Sequence, residues 1–160
     1  MSPEDNQRTV QRFYEEVLNG GNVDLIDNMV TKDHRSWETT DPVGNGKPGA
    51  HNLKRWVLEK RAAFPDIEVI VDEWIVQGDF VVSRWTCRGT HTGEDFEGIP
   101  PMGAKINVMG VAIDRFEGDR TAESWLFFDG LDFAKQLGAS MIPGPRVVKQ
   151  IMTNRVKSLF

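Results

Sequence analysis

The chain has 160 residues, of which 39% are hydrophobic and 27% charged, enough for a single domain with a sizeable core. A formal charge of −5 lacks the basic footprint of a nucleic-acid binder. The solitary cysteine, Cys87, excludes an internal disulfide framework and a cysteine-based zinc site. An acidic, polar start at Met1 to Asp5 is unlike a secretory leader, and no apolar run approaches the ~18 residues of a membrane span. The expectation is a cytoplasmic protein with neither nucleic acid nor membrane as partner.

Ser2, Pro3 and Asp5 supply an N-cap, a first-turn proline and a capping-box acid, and Val10, Phe13, Tyr14, Val17 and Leu18 follow at helical spacing until Asn19-Gly20-Gly21. Leu25, Ile26, Met29 and Val30 predict a second, short helix. Arg35 to Thr39 reads as a first strand, before a turn-rich stretch from Asp41 to Gly49 with Gly44 and Gly46. Leu53, Trp56, Val57 and Phe64 mark a third helix, which Pro65 stops. From Ile67 the apolar period changes to two. Ile67 to Val76 and Phe80 to about Thr90 form a hairpin across Gly78-Asp79, and Lys105 to Phe116 and Arg120 to Asp129 form another across Glu117-Gly118-Asp119. Leu131 to Leu137 reads as a closing helix. Helices followed by a run of antiparallel strands predict an α+β domain whose helices cover one face of a curved sheet, with a cavity between the layers.

Residues 141–160 carry Arg146, Lys149, Arg155 and Lys157 and no acid, after the boundary Pro143-Gly144-Pro145. Val148, Ile151, Met152, Val156 and Leu159 fall at helical spacing, so the division is a domain over 1–140 and a basic amphipathic extension over 141–160, packed on the acidic domain or on a neighbouring subunit, with a lid over the cavity mouth or a contact with an anionic surface as the other readings.

Strand parity groups Val81, Ser83, Trp85 and Cys87 on one face, joined by His91 if the register runs through Gly89. On the last strand Glu123, Trp125, Phe127 and Asp129 share a face. A carboxylate at the end of an aromatic row loses solvation of its charged form, which suits a general base; Asp129 equally fits the cap of the following helix. His91 fits a proton donor or a hydrogen-bonded structural histidine, and His34 and His51 read as solvent or loop residues. The three histidines lack metal-ligand spacing, and no phosphate-binding glycine motif or GxSxG elbow occurs, so a metal-free site without a nucleotide cofactor is expected.

Several strings together resemble the SnoaL-like polyketide cyclase family: Phe13 to Asn19, Ala63-Phe64-Pro65-Asp66, Gly89-Thr90-His91-Thr92-Gly93-Glu94, Phe96 to Gly103, Arg115-Phe116, Glu123 to Asp129 and Gln136-Leu137-Gly138. Their order and spacing cover residues 8–138. The resemblance implies a cystatin-like α+β cone of the nuclear transport factor two superfamily, a homodimer or homotetramer, and a hydrophobic pocket that works without a cofactor. It also implies intramolecular aldol chemistry on a hydrophobic carbonyl substrate, with Asp129 as acid/base and His91 polarising the substrate. Tyr14 is a further donor candidate, and Tyr14, Trp37, Trp85, Trp125 and Phe127 are the expected substrate-binding residues. The chain departs from the family at His34-Arg35-Ser36-Trp37-Glu38, where many relatives carry a histidine close to Trp37, and in its tail. Other readings on the same scaffold are a dehydratase or epoxide hydrolase, with Arg84 or Arg88 and Glu123 assisting Asp129, and a non-catalytic binding protein.

Overall fold

The computed structural model describes residues 2–38 and 46–140, so the amphipathic helix expected over 141–160 and most of the glycine-rich turn after Asp41 lie outside the described residues. Helix α1 spans Pro3–Arg12. Its capping box forms as expected: Asp5 N–H donates to Ser2 Oγ at 3.3 Å, and Ser2 N–H donates to Asp5 Oδ2 at 3.1 Å. The helix then widens into a π-helical stretch, Phe13–Asn19. Its end is fastened from outside, because Arg61 Nη1 donates to the carbonyls of Leu18 and Asn19 at 2.8 and 2.7 Å. That guanidinium satisfies carbonyls the helix leaves open. A 3₁₀ turn, Val23–Leu25, leads into α2, Ile26–Met29, and α3 spans Ala50–Ala63, ending just before Pro65.

Five strands form, as expected. They are β1 Val30–Glu38, β2 Glu68–Gln77, β3 Phe80–His91, β4 Ala104–Glu117 and β5 Arg120–Phe128, and α4, Gly130–Gln136, closes the described domain. The sheet order is β1-β5-β4-β3-β2, antiparallel throughout except that β1 runs parallel to β5. β1 begins at Val30, five residues before the expected start, because Val30 already pairs with Thr121 of β5. The first strand thus becomes the partner of the last, which alternation within β1 alone does not reveal. Helices and sheet enclose a core in which Val17, Ile26, Val57, Phe64 and Val81 are almost completely buried. Among the described residues no helix is long and apolar enough to cross a membrane.

The concave face of the sheet carries alternate residues of every strand. On β3 these are Val81, Ser83, Trp85 and His91, all buried, so the register expected through Gly89 holds. On β4 they are Ile106, Val108, Ala112, Asp114 and Phe116. On β5 the pairing Ser124↔Asp114 and Leu126↔Ala112 makes Ser124, Leu126 and Phe128 the inner row. The row of Glu123, Trp125 and Phe127 therefore faces outward, and Phe127 is 46% exposed.

Candidate active site

Between the helices and the concave face lies a cavity of two lobes. The larger, about 890 Å³ with the open solvent at its mouth included, is bounded by Tyr14, Glu38, Trp56, Asp114, Ser124 and Leu126 among others. The smaller, about 570 Å³ on the same measure, is walled by Phe64, Trp85, Cys87, Val108, Phe128 and Phe133. Tyr14, Glu38, Trp56 and Leu126 border both lobes.

Asp114 is one of two acids bordering the larger lobe, with Glu38. Sitting on the apolar row of β4 between Ala112 and Phe116, it is 8% exposed. Burial pushes its carboxyl up to about 6, against the opposing effect of a hydrogen bond from Ser124. Ser124 Oγ donates to Asp114 Oδ1 at 2.5 Å, and the same oxygen lies 3.1 Å from His34 Nε2. Since the hydroxyl proton goes to Asp114, His34 Nε2–H is the donor to Ser124. Burial lowers the His34 pKa to about 4 despite the nearby Glu123, so near neutral pH the imidazole is uncharged and carries its proton on Nε2. His34 is 1% exposed, which corrects its reading as a solvent or loop residue; its place on the inner row of β1 is the cause. His51, by contrast, is exposed on α3.

A second polar pair lies beside Asp114. Tyr14 hydroxyl and Ser83 Oγ are 2.8 Å apart. Burial, then the charge of Asp114, raise the Tyr14 pKa above its ordinary value, with the Ser83 bond opposing, so the phenol stays protonated. A third group marks the junction of the lobes: Trp56 Nε1–H donates to Glu38, and Lys60 Nζ approaches Glu38 Oε1 at 3.4 Å. Lys60 also lies 4.4 Å from the centre of the Phe96 ring. The Cys87 thiol, facing the smaller lobe, is pushed up to about 11 by burial, with Lys60 opposing.

The expected site residues divide. Tyr14 and Trp85 line the cavity. Trp37 and Trp125 border the larger lobe, but their rings stack on each other at 5.2 Å, and alternation sends them to the face opposite Glu38 and Ser124. Phe127 stands on the outer face and borders neither lobe. Asp129 is exposed at the N-terminus of α4, where its carboxylate accepts the Asp132 N–H at 2.9 Å; of its two readings, the structure displays the cap. His91 is buried under Phe64 with ring centres 5.1 Å apart, its Nε2–H donating to the Glu94 carbonyl at 2.9 Å, and it borders neither lobe. The cations expected to assist Asp129 are outward-facing: Arg84 pairs with Asp72 and Glu73, and Arg88 meets Asn107. Glu123 is likewise engaged by Arg115 on the outer face.

Sequence reasoning missed Asp114, Ser124, His34, Ser83 and Glu38. A usable signal existed for one of them: Asp114 interrupts an otherwise apolar row of alternating residues on β4, and an acid in that position is either buried or misregistered.

Family comparison agrees with this architecture. The SnoaL-like polyketide cyclase family matches residues 8–137. The chain belongs to that family. A protein from Jannaschia sp. CCS1 classed as a SnoaL-like polyketide cyclase is 26% identical, with the match covering 88% of this chain and 98% of that one at a TM-score of 0.78. One from Acidithiobacillus ferrooxidans, classed as a polyketide cyclase, is 29% identical over 86% of this chain and 97% of that one, with a TM-score of 0.75. IdmH of Streptomyces antibioticus, also classed as a polyketide cyclase, is 25% identical over 84% and 99% of the two chains, with a TM-score of 0.70. No curated protein matches the sequence significantly. The expected cone of the nuclear transport factor two kind is thus the fold of this SnoaL-like protein.

Proposed function

We propose that this SnoaL-like protein is an acid/base enzyme that forms an enolate from a hydrophobic ester or ketone and closes a ring by intramolecular aldol addition, with Asp114 as the base. The observation that carries the reading is the Asp114 carboxyl, buried in the wall of an apolar cavity at a pKa near 6, with the Tyr14 phenol beside it. A base whose pKa lies near the working pH is both ionised and able to hold the proton it takes. Asp114 is preferred over Asp129 because it borders the cavity, whereas Asp129 is exposed and committed to α4.

Asp114 removes a proton alpha to the carbonyl, and the C–H electron pair becomes the enolate. The enolate carbon attacks a second carbonyl of the same molecule, and the new alkoxide recovers the proton from Asp114. Ser124 occupies Oδ1, which leaves Oδ2 for the transfer. In this scheme the buried Ser83 hydroxyl donates to Tyr14, a direction that the 2.8 Å contact permits, and the Tyr14 proton goes to the enolate oxygen. Holding both carbons in one cavity supplies the remaining advantage through proximity.

The test is deuterium uptake from heavy water by 2-tetralone and aryl β-keto esters, comparing wild type with Asp114→Asn and Asp129→Asn. Uptake is expected to vanish in Asp114→Asn and survive in Asp129→Asn, and the wild-type rate should rise with pH to a plateau above about 6. Loss in Asp129→Asn alone returns the base to Asp129. Binding without uptake in wild type favours a ligand-binding protein.

A further inference from the structure

We propose that His34 is a positioning residue: through Ser124 it decides which oxygen of Asp114 takes up the proton, keeping Oδ1 a hydrogen-bond acceptor and leaving Oδ2 as the base. This role rests on the reading of Asp114 as the base; the hydrogen-bond chain that carries it does not. Asp114 and Ser124 face each other across β4 and β5, and both border the larger lobe. His34 borders neither lobe, so its effect on a ligand is indirect. Because β1 runs parallel to β5 with Ser36 opposite Ser124, His34 comes two residues earlier on the same inner row. Its Nε2 lies 3.1 Å from Ser124 Oγ, which lies 2.5 Å from Asp114 Oδ1.

A hydroxyl has one proton and donates it to one partner. Alone beside a carboxyl group, Ser124 could play either part: it could donate to the carboxylate, or turn and accept from the carboxylic acid. The second arrangement puts the acid proton on Oδ1, between the two side chains. The imidazole removes it. With His34 Nε2–H donating to Oγ, a proton on Oδ1 would leave the Ser124 proton without an acceptor in the chain, a condition that native structures avoid. Oδ1 therefore stays an acceptor whether Asp114 is ionised or protonated. A proton taken from a ligand is held on Oδ2 and returned without any turn of the hydroxyl, and dipoles fixed in this way need no reorganisation during the reaction.

The surroundings leave this role to the chain. Among the described residues no cation pairs with Asp114: Ala112 and Phe116 flank it on the inner row of β4, and the Tyr14 phenol, which feels its charge, is bonded to Ser83 of β3. Glu123, the charge that acts on His34, is held by Arg115 on the outer face. The Ser124 hydroxyl is thus the group that opposes burial at Asp114 and favours its ionised form. Burial keeps the imidazole uncharged, so the chain passes on a hydrogen bond and no charge.

In wild type near neutral pH the ¹⁵N resonances of the His34 ring should show its proton on Nε2; a proton on Nδ1 would make the imidazole an acceptor from Ser124 and overturn the role without any variant. The variants are His34→Leu, which removes the donor, His34→Gln, which returns an N–H, and Ser124→Ala. ¹³C NMR of the Asp114 carboxyl and infrared difference spectra against Asp114→Asn read the acid itself. Asp114 is expected to titrate about one pH unit higher in Ser124→Ala, which removes a hydrogen bond to a charged group. It should also titrate higher in His34→Leu and return toward wild type in His34→Gln. At pH 4 the C=O stretch of the protonated acid should stand at higher frequency in His34→Leu than in wild type or His34→Gln, because its carbonyl oxygen has lost a donor. A histidine that only packs would cost stability in His34→Leu but leave titration and stretch unmoved; that result, or no recovery in His34→Gln, refutes the role. If His34→Leu does not fold, the wild-type tautomer and the Ser124→Ala titration decide. Deuterium uptake by 2-tetralone separates the two readings: no uptake in wild type with the Asp114 shifts present refutes the enolate chemistry alone, and uptake with Asp114 unmoved in every variant refutes the role of His34 alone.

Discussion

Replacing Asp114 by asparagine tests the buried-acid argument through folding. The carboxyl titrates near 6 in the folded chain against an ordinary value of 3.8, a gap of about two units, each equivalent to about 1.4 kcal/mol. For an acid whose folded pKa is raised, the folded state keeps a proton that the unfolded state has already released. The Asp114 contribution to wild-type stability therefore falls as pH rises from about 4 to about 6, and its full penalty of about 3 kcal/mol is present above 6. The asparagine of the variant does not titrate, and its side-chain oxygen can still accept from Ser124. The unfolding free energy of Asp114→Asn minus that of wild type should thus grow by about 3 kcal/mol between pH 4 and pH 8, whatever constant offset the new amide introduces. Urea unfolding followed by tryptophan fluorescence across that range measures the difference. Parallel stability curves would refute the reasoning, because they would mean that folding binds no extra proton at Asp114.

His34 carries the opposite sign: its folded pKa near 4 lies below the ordinary 6.5, so its own contribution falls by about 3 kcal/mol as pH falls through that window and offsets much of the Asp114 slope in wild type, and His34→Gln should abolish this contribution in the same titration. Gly110→Ala should cost about 1–3 kcal/mol in urea unfolding and displace the Trp85 indole resonance, because the new methyl meets both Trp85 and, at 2.6 Å, the Phe127 carbonyl. Asp129→Ala should lower stability by about 1 kcal/mol through loss of the α4 cap, with Asp129→Asn restoring most of it, as measured by chemical denaturation.

The strands and their inner rows were largely legible because β3 and β4 each show one plainly apolar parity. β5 does not. Its two rows, Ala122-Leu126-Phe128 and Trp125-Phe127, are both apolar, so alternation alone offered no way to choose the face that meets the helices. Pairing with β4 makes the choice, by setting Ser124 opposite the buried Asp114 and Leu126 opposite Ala112. Asp129 gained its apparent role from the wrong row. His34 was read as exposed for a related reason, since the first half of β1, Val30 to His34, includes the polar run Thr31-Lys32-Asp33 and shows too little alternation to read as a strand. Tyr14 and Trp85 were legible as cavity residues, but their partners were not: Ser83 is 69 positions from Tyr14, and the space that Trp85 occupies exists because of a glycine on the neighbouring strand.

The linked cluster of Asp114, Ser124 and His34 bears on the proposed reaction as a unit. Between about pH 4 and 6 both titrating members are neutral; above 6 the cluster holds one negative charge, on Asp114, with the imidazole still uncharged. A protonated His34 would have pulled the Asp114 pKa down and weakened it as a base, so the burial that keeps the imidazole neutral also preserves the basicity of its neighbour. Proton abstraction then creates no new charge in the cavity. It moves the existing one from the carboxylate to a ligand oxygen beside the Tyr14 phenol, which the same burial keeps protonated and able to donate. An apolar chamber that resists separated charges therefore does not oppose this step, and the stability lost by burying Asp114 is matched by a base strength that an exposed carboxylate would lack.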